Sequence, residues 1–207
     1  MAIYSYVIVR DFGFAPNPFF EYCTLAACKP EIRKGAQIGD WVIGIGSAAK
    51  KSNFKNRLVY AMCVEEKLPF DDYWNDIRFK EKRPVLNGSK MQCYGDNVYH
   101  IDSSIGKFVQ KDSHHSLENG VVNEKNYKRD LSGKFVLISK MYWYFGKSAI
   151  AIPDKFKGII KSGRGYKKID DRSLINNFIT WVHNQEGKGF IDKPIMFSGK
   201  FVRFGGE

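Results

Sequence analysis

Residues 39–47 read Gly-Asp-Trp-Val-Ile-Gly-Ile-Gly-Ser, and beyond a polar, basic spacer residues 58–70 read Leu-Val-Tyr-Ala-Met-Cys-Val-Glu-Glu-Lys-Leu-Pro-Phe. Gly39-Asp40 is turn chemistry. The β-branched and aromatic residues from Trp41 to Ile45 predict a buried strand, and Leu58 to Val64 predict a second. Glycines at 44 and 46 inside the first strand mean that something approaches its backbone closely, either a bulge or a ligand. Next to Ser47 and the cations Lys50, Lys51, Lys55 and Arg57, a polyanion passing that strand end is the second of those readings.

Working outward, Tyr4 to Val9 alternate as a first strand, and Lys29-Pro30-Glu31 opens a short helix closing near Gly35. Asp71 or Asp72 is placed to cap another short helix carrying Tyr73, Trp74, Ile77 and Phe79. Phe135 to Ser139 and Ala149 to Ile152 predict further strands. In Tyr142-Trp-Tyr-Phe145 alternation puts Tyr142 and Tyr144 on one face and Trp143 and Phe145 on the other, one of them core and the other a candidate stacking surface. Asp170 or Asp171 caps the clearest helix, with Leu174, Ile175, Phe178, Ile179 and Val182 at helical spacing. Met196 to Phe204 predicts a closing strand. The polar stretch 102–132, with His114-His115, reads as a long excursion of little regular structure. Those histidines have no ligand partners nearby in sequence, so no metal site is expected. The economical answer is one α+β domain over 1–207, a small, strongly bent mixed sheet or barrel with flanking helices.

Composition narrows function. A chain of 207 residues buries roughly 70% of its unfolded surface and holds a core without disulfides or metal. Cys23, Cys28, Cys63 and Cys93 are irregularly spaced, as in reduced, partly buried thiols of a cytoplasmic protein. Neither a membrane span nor a signal peptide is read from the sequence. The net charge of +11 points to phosphate or an anionic surface, and nearly all of the excess lies in the second half. Lys155, Lys157, Lys161, Arg164, Lys167 and Lys168 stand without an intervening acid, among glycines that let a backbone follow phosphates. A solvated charged face is the blander reading of the same run.

Two segments combine polar and aromatic residues in ways that a plain core does not need. Residues 11–20, Asp-Phe-Gly-Phe-Ala-Pro-Asn-Pro-Phe-Phe, are too rich in Pro and Gly for regular structure and too apolar for a solvated loop. Residues 94–100, Tyr-Gly-Asp-Asn-Val-Tyr-His, crowd donors, acceptors and rings in a way that suits reading a base. Both are equally open to being turns that satisfy themselves, with Asp11 and Asn17 as braces.

The order of features over residues 39–76 resembles the PUA-like superfamily, its EVE and ASCH branches in particular. Residues 11–19, Cys28-Lys-Pro30, Gly39-Asp-Trp-Val-Ile-Gly44, Tyr73-Trp-Asn-Asp76, Tyr94 to His100 and Tyr144-Phe-Gly146 resemble the second nucleotide modification associated domain family. That resemblance spans about two thirds of the chain. It implies bacterial or phage systems that modify or recognise altered DNA bases, with a base taken into a pocket at one end of a barrel. Carried over, the pocket would comprise Asp11, Asn17, Ser47, Tyr94, Asp96, Asn97, His100 and Phe145, with Trp41 and Trp74 as ring walls. The expected activity is binding of a modified nucleobase by flipping, in DNA ahead of RNA, without a cofactor, alongside a partner modification or nuclease protein. The alternatives are an enzyme acting on a modified base or nucleotide, with Asp96 and His100 as acid and base, and a nucleotide-sensing or protein-interaction module of a defence system.

Overall fold

The computed structural model describes residues 1–47 and 53–205. Lys50 and Lys51 lie outside them. The strands are β1 (Ile3–Ile8), β2 (Cys23–Leu25), β3 (Trp41–Gly46), β4 (Arg57–Cys63), β5 (Glu66–Pro69), β6 (Tyr99–Asp102), β7 (Lys107–Gln110), β8 (Phe135–Ser139), β9 (Tyr142–Tyr144), β10 (Ile150–Ala151), β11 (Tyr166–Ile169) and β12 (Gly189–Phe190). The helices are α1 (Pro30–Gly35), α2 (Phe70–Asn75), α3 (Lys90–Cys93), α4 (Glu124–Leu131) and α5 (Arg172–His183). The architecture is α+β.

The two strands read first sit at the centre of a seven-stranded mixed sheet ordered β11-β1-β3-β4-β9-β12, with β10 also on β4. Strand β1 runs parallel to β3, and β3 pairs antiparallel with β4. Among the described residues β11 and β12 do not pair with each other, so the sheet is open and the expected barrel is not formed. Its register shifts between Gly44 and Ile45, and a Cβ at Gly44 would collide with Ile8 and the Tyr60 ring. The glycine therefore marks a bulge, and what approaches the backbone is the protein's own core. A second sheet, β2-β8-β5, and a hairpin, β6-β7, complete the strands.

Both faces of the large sheet are covered. On one, Tyr4, Tyr6, Tyr60, Met62, Tyr142 and Tyr144 pack against Leu25 and Leu137 of the second sheet. On the other, Trp41, Ile43, Trp143 and Phe145 pack under Ile175, Phe178 and Val182 of α5. Helix α5 starts where the sequence places it, with the Asp171 side chain accepting from Leu174 N at 3.0 Å. The alternation of residues 142–145 thus serves two interiors, which removes the expected stacking surface.

Three other expectations are corrected. Helix α2 is preceded by Pro69 with no side-chain cap, and Asp71 instead accepts from Ile101 N at 2.7 Å. Residues 196–204 form no strand; they run as an irregular tail, bent at 198–200, whose Phe204 N donates to His114 O at 2.7 Å. The stretch 102–132 contains β7 and α4, because its polar residues turn inward on one another. Gln110 Oε1 accepts from Asn123 N at 2.9 Å, and Asn126 Nδ2 donates to His115 O at 3.0 Å and Phe204 O at 2.7 Å.

A third apolar cluster, with Phe12, Phe14, Phe70, Tyr73, Phe79, Tyr94 and Tyr99, surrounds a buried polar network. Lys82 is fully buried and donates to Asn17 Oδ1 at 2.7 Å and Tyr22 O at 2.9 Å. Burial lowers its pKa to about 8, partly offset by Asp96. Asp96 accepts from Thr24 Oγ1 at 2.6 Å and from the Tyr73 hydroxyl at 2.8 Å. Removing a buried ammonium that has such partners leaves acceptors and a carboxylate uncompensated. Lys82→Met is therefore expected to cost about 3–5 kcal/mol, read as a lower urea midpoint at unchanged slope.

Candidate functional site

Between the start of α1, the loop after β1, residues 114–115 and the C-terminal tail lies a cleft of about 630 Å³, within the range of small-ligand sites. Its apolar lining includes Tyr6, Phe12, Phe14 and Phe204, and its Lys and Arg residues are Lys29, Arg10, Arg129 and Arg164, with Glu31 the one lining acid among the described residues. The loop 11–20 delivers Phe12 and Phe14 because its polar residues are tied down. Asp11 accepts from the Tyr144 hydroxyl at 2.5 Å and Ile195 N at 3.0 Å, and Asn17 exchanges backbone hydrogen bonds with Thr24. Phe12 stacks on Tyr94 with centroids 5.3 Å apart, and Phe14 meets the His115 ring at 4.5 Å. Two guanidinium groups lie over the Phe204 ring, Arg10 at 5.0 Å and Arg129 at 5.6 Å from its centroid. A second cavity of about 540 Å³ shares Arg10, Phe12 and His114 with the first.

Cys28 and His115 both line the cleft, with Asp130 directly behind them. Cys28 sits in the left-handed region at φ 58, its N–H donating to Asp130 Oδ1 at 2.9 Å. Its carbonyl accepts from Arg33 Nε at 2.8 Å. Arg33 is itself fully buried and also donates to the carbonyls of Asp130 and Phe135. The Cys28 Sγ is 3.7 Å from His115 Nε2, and His115 Nδ1 is 2.6 Å from Asp130 Oδ2. The Tyr99 hydroxyl donates to the same Oδ2 at 2.9 Å. Burial works against the charged His115 ring, but the Asp130 carboxylate and Cys28 outweigh it and raise its pKa to about 9. For Asp130 burial favours the neutral acid, and His115, Arg33 and Arg129 outweigh that and hold it below the usual carboxylate range. His114 is kept neutral, pushed down to about 3 by burial and by its neighbour His115.

Such a set could in principle hold a cation, since the ligand atoms of Cys28, His115 and Asp130 all lie within 4.8 Å of one another. No partner is near these histidines in sequence, but the fold brings Cys28 and Asp130 to His115, while His114 Nδ1 meets Val202 O. Asp130, however, already receives the Cys28 N–H, the Tyr99 O–H and His115 Nδ1, so its lone pairs are directed at donors within the protein. What remains open is the pair Sγ and Nε2, a geometry for passing a proton between thiol and imidazole.

None of the residues expected to form a base pocket lines this cleft or the second cavity. Asp11, Asn17, Asp96 and Asn97 are buried and engaged internally; Asn97 Nδ2 donates to the carbonyls of Tyr73 and Phe79. Tyr94 is buried behind Phe12, while Trp41 stacks on Trp143 in the core under α5, where Phe145 also packs. Trp74 stacks on His100 at 3.9 Å with the Arg83 guanidinium 4.0 Å from its ring, so its ring is covered by the protein's own side chains, with His100 Nδ1 buried and unpartnered. Asp96 and His100 therefore do not form an acid–base pair across a substrate space. Ser47 is half-buried at the end of β3, outside the cleft lining. Of the cations, Arg164 lines the cleft, and Lys167 and Lys168 follow it on exposed β11. Lys157 pairs with Asp154 at 3.1 Å, Lys155 lies over the Phe156 ring, and Lys161 bonds the carbonyl of Ser162. Lys55 is exposed, and Arg57 donates to Ala149 O at 2.8 Å, neither of them lining the cleft.

Arg164 apart, the residues that line the cleft are not among the expected site residues, even though residues 11–19 and Cys28-Lys-Pro30 stand out as blocks. A usable signal lay in α4: Asn126 and Asp130 are four apart, hence on one helix face, and form a polar stripe where an inward face is normally apolar.

The chain belongs to the nucleotide modification associated domain 2 family, whose model matches residues 1–201. The domain is thus one associated with nucleotide modification. No curated protein and no solved structure matches the chain. Among the described residues no helix is long and apolar enough to cross a membrane.

Because the folded state raises the His115 pKa above its ordinary 6.5, the protonated ring stabilises the protein fully below about pH 6.5 and progressively less as pH rises through about 9. The stability advantage of wild type over His115→Gln, taken from urea titrations, is expected to be largest near pH 6 and to shrink by pH 9.5. An advantage that does not vary with pH would contradict the ion pair.

Proposed function

We propose that the cleft binds a nucleotide, its base held against the rings of Phe14, His114 and Phe204 and its phosphate met by Arg10, Arg129, Arg164 and Lys29. The observation that carries this reading is the pairing of an aromatic wall with a cationic rim in one space of base-plus-phosphate size. Family membership in a nucleotide-modification group supports it. Arg164, Gly165 and Tyr166 extend the rim onto β11, where Lys167 and Lys168 offer phosphate contacts beyond the one nucleotide inside. A polynucleotide, DNA in particular, presents its base here turned out of the stack, with flanking phosphates along β11 and a modified base distinguished by shape within the cleft.

The test is a titration of deoxyribonucleotides and short single-stranded oligonucleotides, modified and unmodified, at several salt concentrations. Arg164→Ala is expected to weaken all sequences alike and to flatten the salt slope by about one contact. Phe204→Ala is expected to remove roughly 1–3 kcal/mol, with preference among bases falling too. Affinity that is indifferent to salt and to both substitutions would overturn the assignment.

A further inference from the structure

We infer that Cys28 is a nucleophile, with His115 as its proton carrier and Asp130 as a positioning residue, and that it adds to C6 of a pyrimidine base held in the cleft. This rests on the nucleotide-binding reading and extends it from recognition to covalent chemistry. Three independent features carry it. The Sγ and Nε2 atoms face each other at 3.7 Å while both residues line the cleft. The imidazole is held from behind, Nδ1 on Asp130 Oδ2 at 2.6 Å, and that carboxylate is fixed in turn by Tyr99 at 2.9 Å, whose hydroxyl accepts from Gln110 Nε2 at 3.0 Å. The backbone of Cys28 is clamped on both sides, by Asp130 at its N–H and Arg33 at its carbonyl, in a left-handed conformation that a free cysteine seldom adopts.

A thiol, an imidazole and a carboxylate in this order are the parts of a base-activated nucleophile. Asp130 holds the imidazole so that Nε2 faces sulfur, placed to take the thiol proton as sulfur attacks. Among the nucleobases the soft electrophilic carbon is C6 of a pyrimidine, conjugated to the C4 carbonyl or amine-bearing carbon. In the step, Sγ bonds to C6, the C5–C6 π bond opens, and C5 takes the proton that left sulfur, delivered from Nε2. Reversal returns the proton and restores the double bond. The step is redox-neutral and needs no further reactant. The metal reading of the same three residues is disfavoured because Asp130 is occupied by three donors on its two oxygens.

The experiment follows the C5 proton of deoxyuridine and deoxycytidine monophosphates, and of the same bases in a short oligonucleotide, by proton NMR in D2O with the full chain. Wild type is expected to exchange H5 for deuterium, Cys28→Ser to lose exchange, and His115→Gln to slow it by about 100-fold. In parallel, iodoacetamide labelling read by mass spectrometry is expected to modify Cys28 about tenfold faster than half-buried Cys63 at pH 7. Asp130→Asn should abolish that preference and move the pH profile of labelling to higher pH, which a merely structural role for Asp130 would not do. Wild type that binds the nucleotides without exchanging H5 overturns the inference and leaves the binding reading intact. Failure to bind at all removes both. One equivalent of zinc in the purified protein, blocking Cys28 from iodoacetamide, would also overturn it in favour of a metal site.

Discussion

The carboxylate of Asp130 has been taken wholly out of water, and the cleft side of the molecule is arranged around compensating it. An ionised group in that position is tolerated only if each oxygen finds donors and a positive charge lies close by. The donors come from distant parts of the chain: the peptide N–H of Cys28, the ring of His115, the hydroxyl of Tyr99. The buried guanidinium of Arg33 adds a charge nearby and bonds carbonyls at 28, 130 and 135. Satisfying one carboxylate thereby fixes α1, α4, β6 and β8 relative to one another, and with them the floor of the cleft.

The sheet was largely legible because its central strands are short runs of β-branched and aromatic residues, as burial on both faces demands. Strands β1, β3, β4 and β8 and helix α5 fall where apolar periodicity and an Asp cap put them. The stretch 102–132 was opaque for the opposite reason. Its polarity suggested solvation, yet Gln110, Asn123, Asn126 and Asp130 are buried and pair with one another and with backbone, so composition alone carries the wrong sign for such a segment.

The same failure mode explains the site. Asp96, Asn97 and Asn17 look like ligand-reading groups because they are polar beside rings, but the buried ammonium of Lys82 and neighbouring hydroxyls and carbonyls engage them inside the protein, with Asn97 Oδ1 left without a partner. Trp41 and Phe145 read as platforms only while one face of the sheet is supposed bare; α5 covers it. Conversely, Cys28, His115 and Asp130 are far apart in sequence and meet only through tertiary structure, with no local spacing to reveal them. Loop 11–20 was correctly seen to pack on the body, and its contribution turned out to be its phenylalanines, while its polar residues hold the loop in place.

Strand β11 closes one side of the large sheet with a border that is unpaired among the described residues, and Lys167 and Lys168 stand on it. Such a border is a template for another strand unless charge keeps strangers away. Charge at those two positions disfavours the docking of a further strand there. Neutralising them would bare the border as well as weaken any attraction for polyanions, so replacement by glutamate is the cleaner change: it reverses the field and keeps the guard.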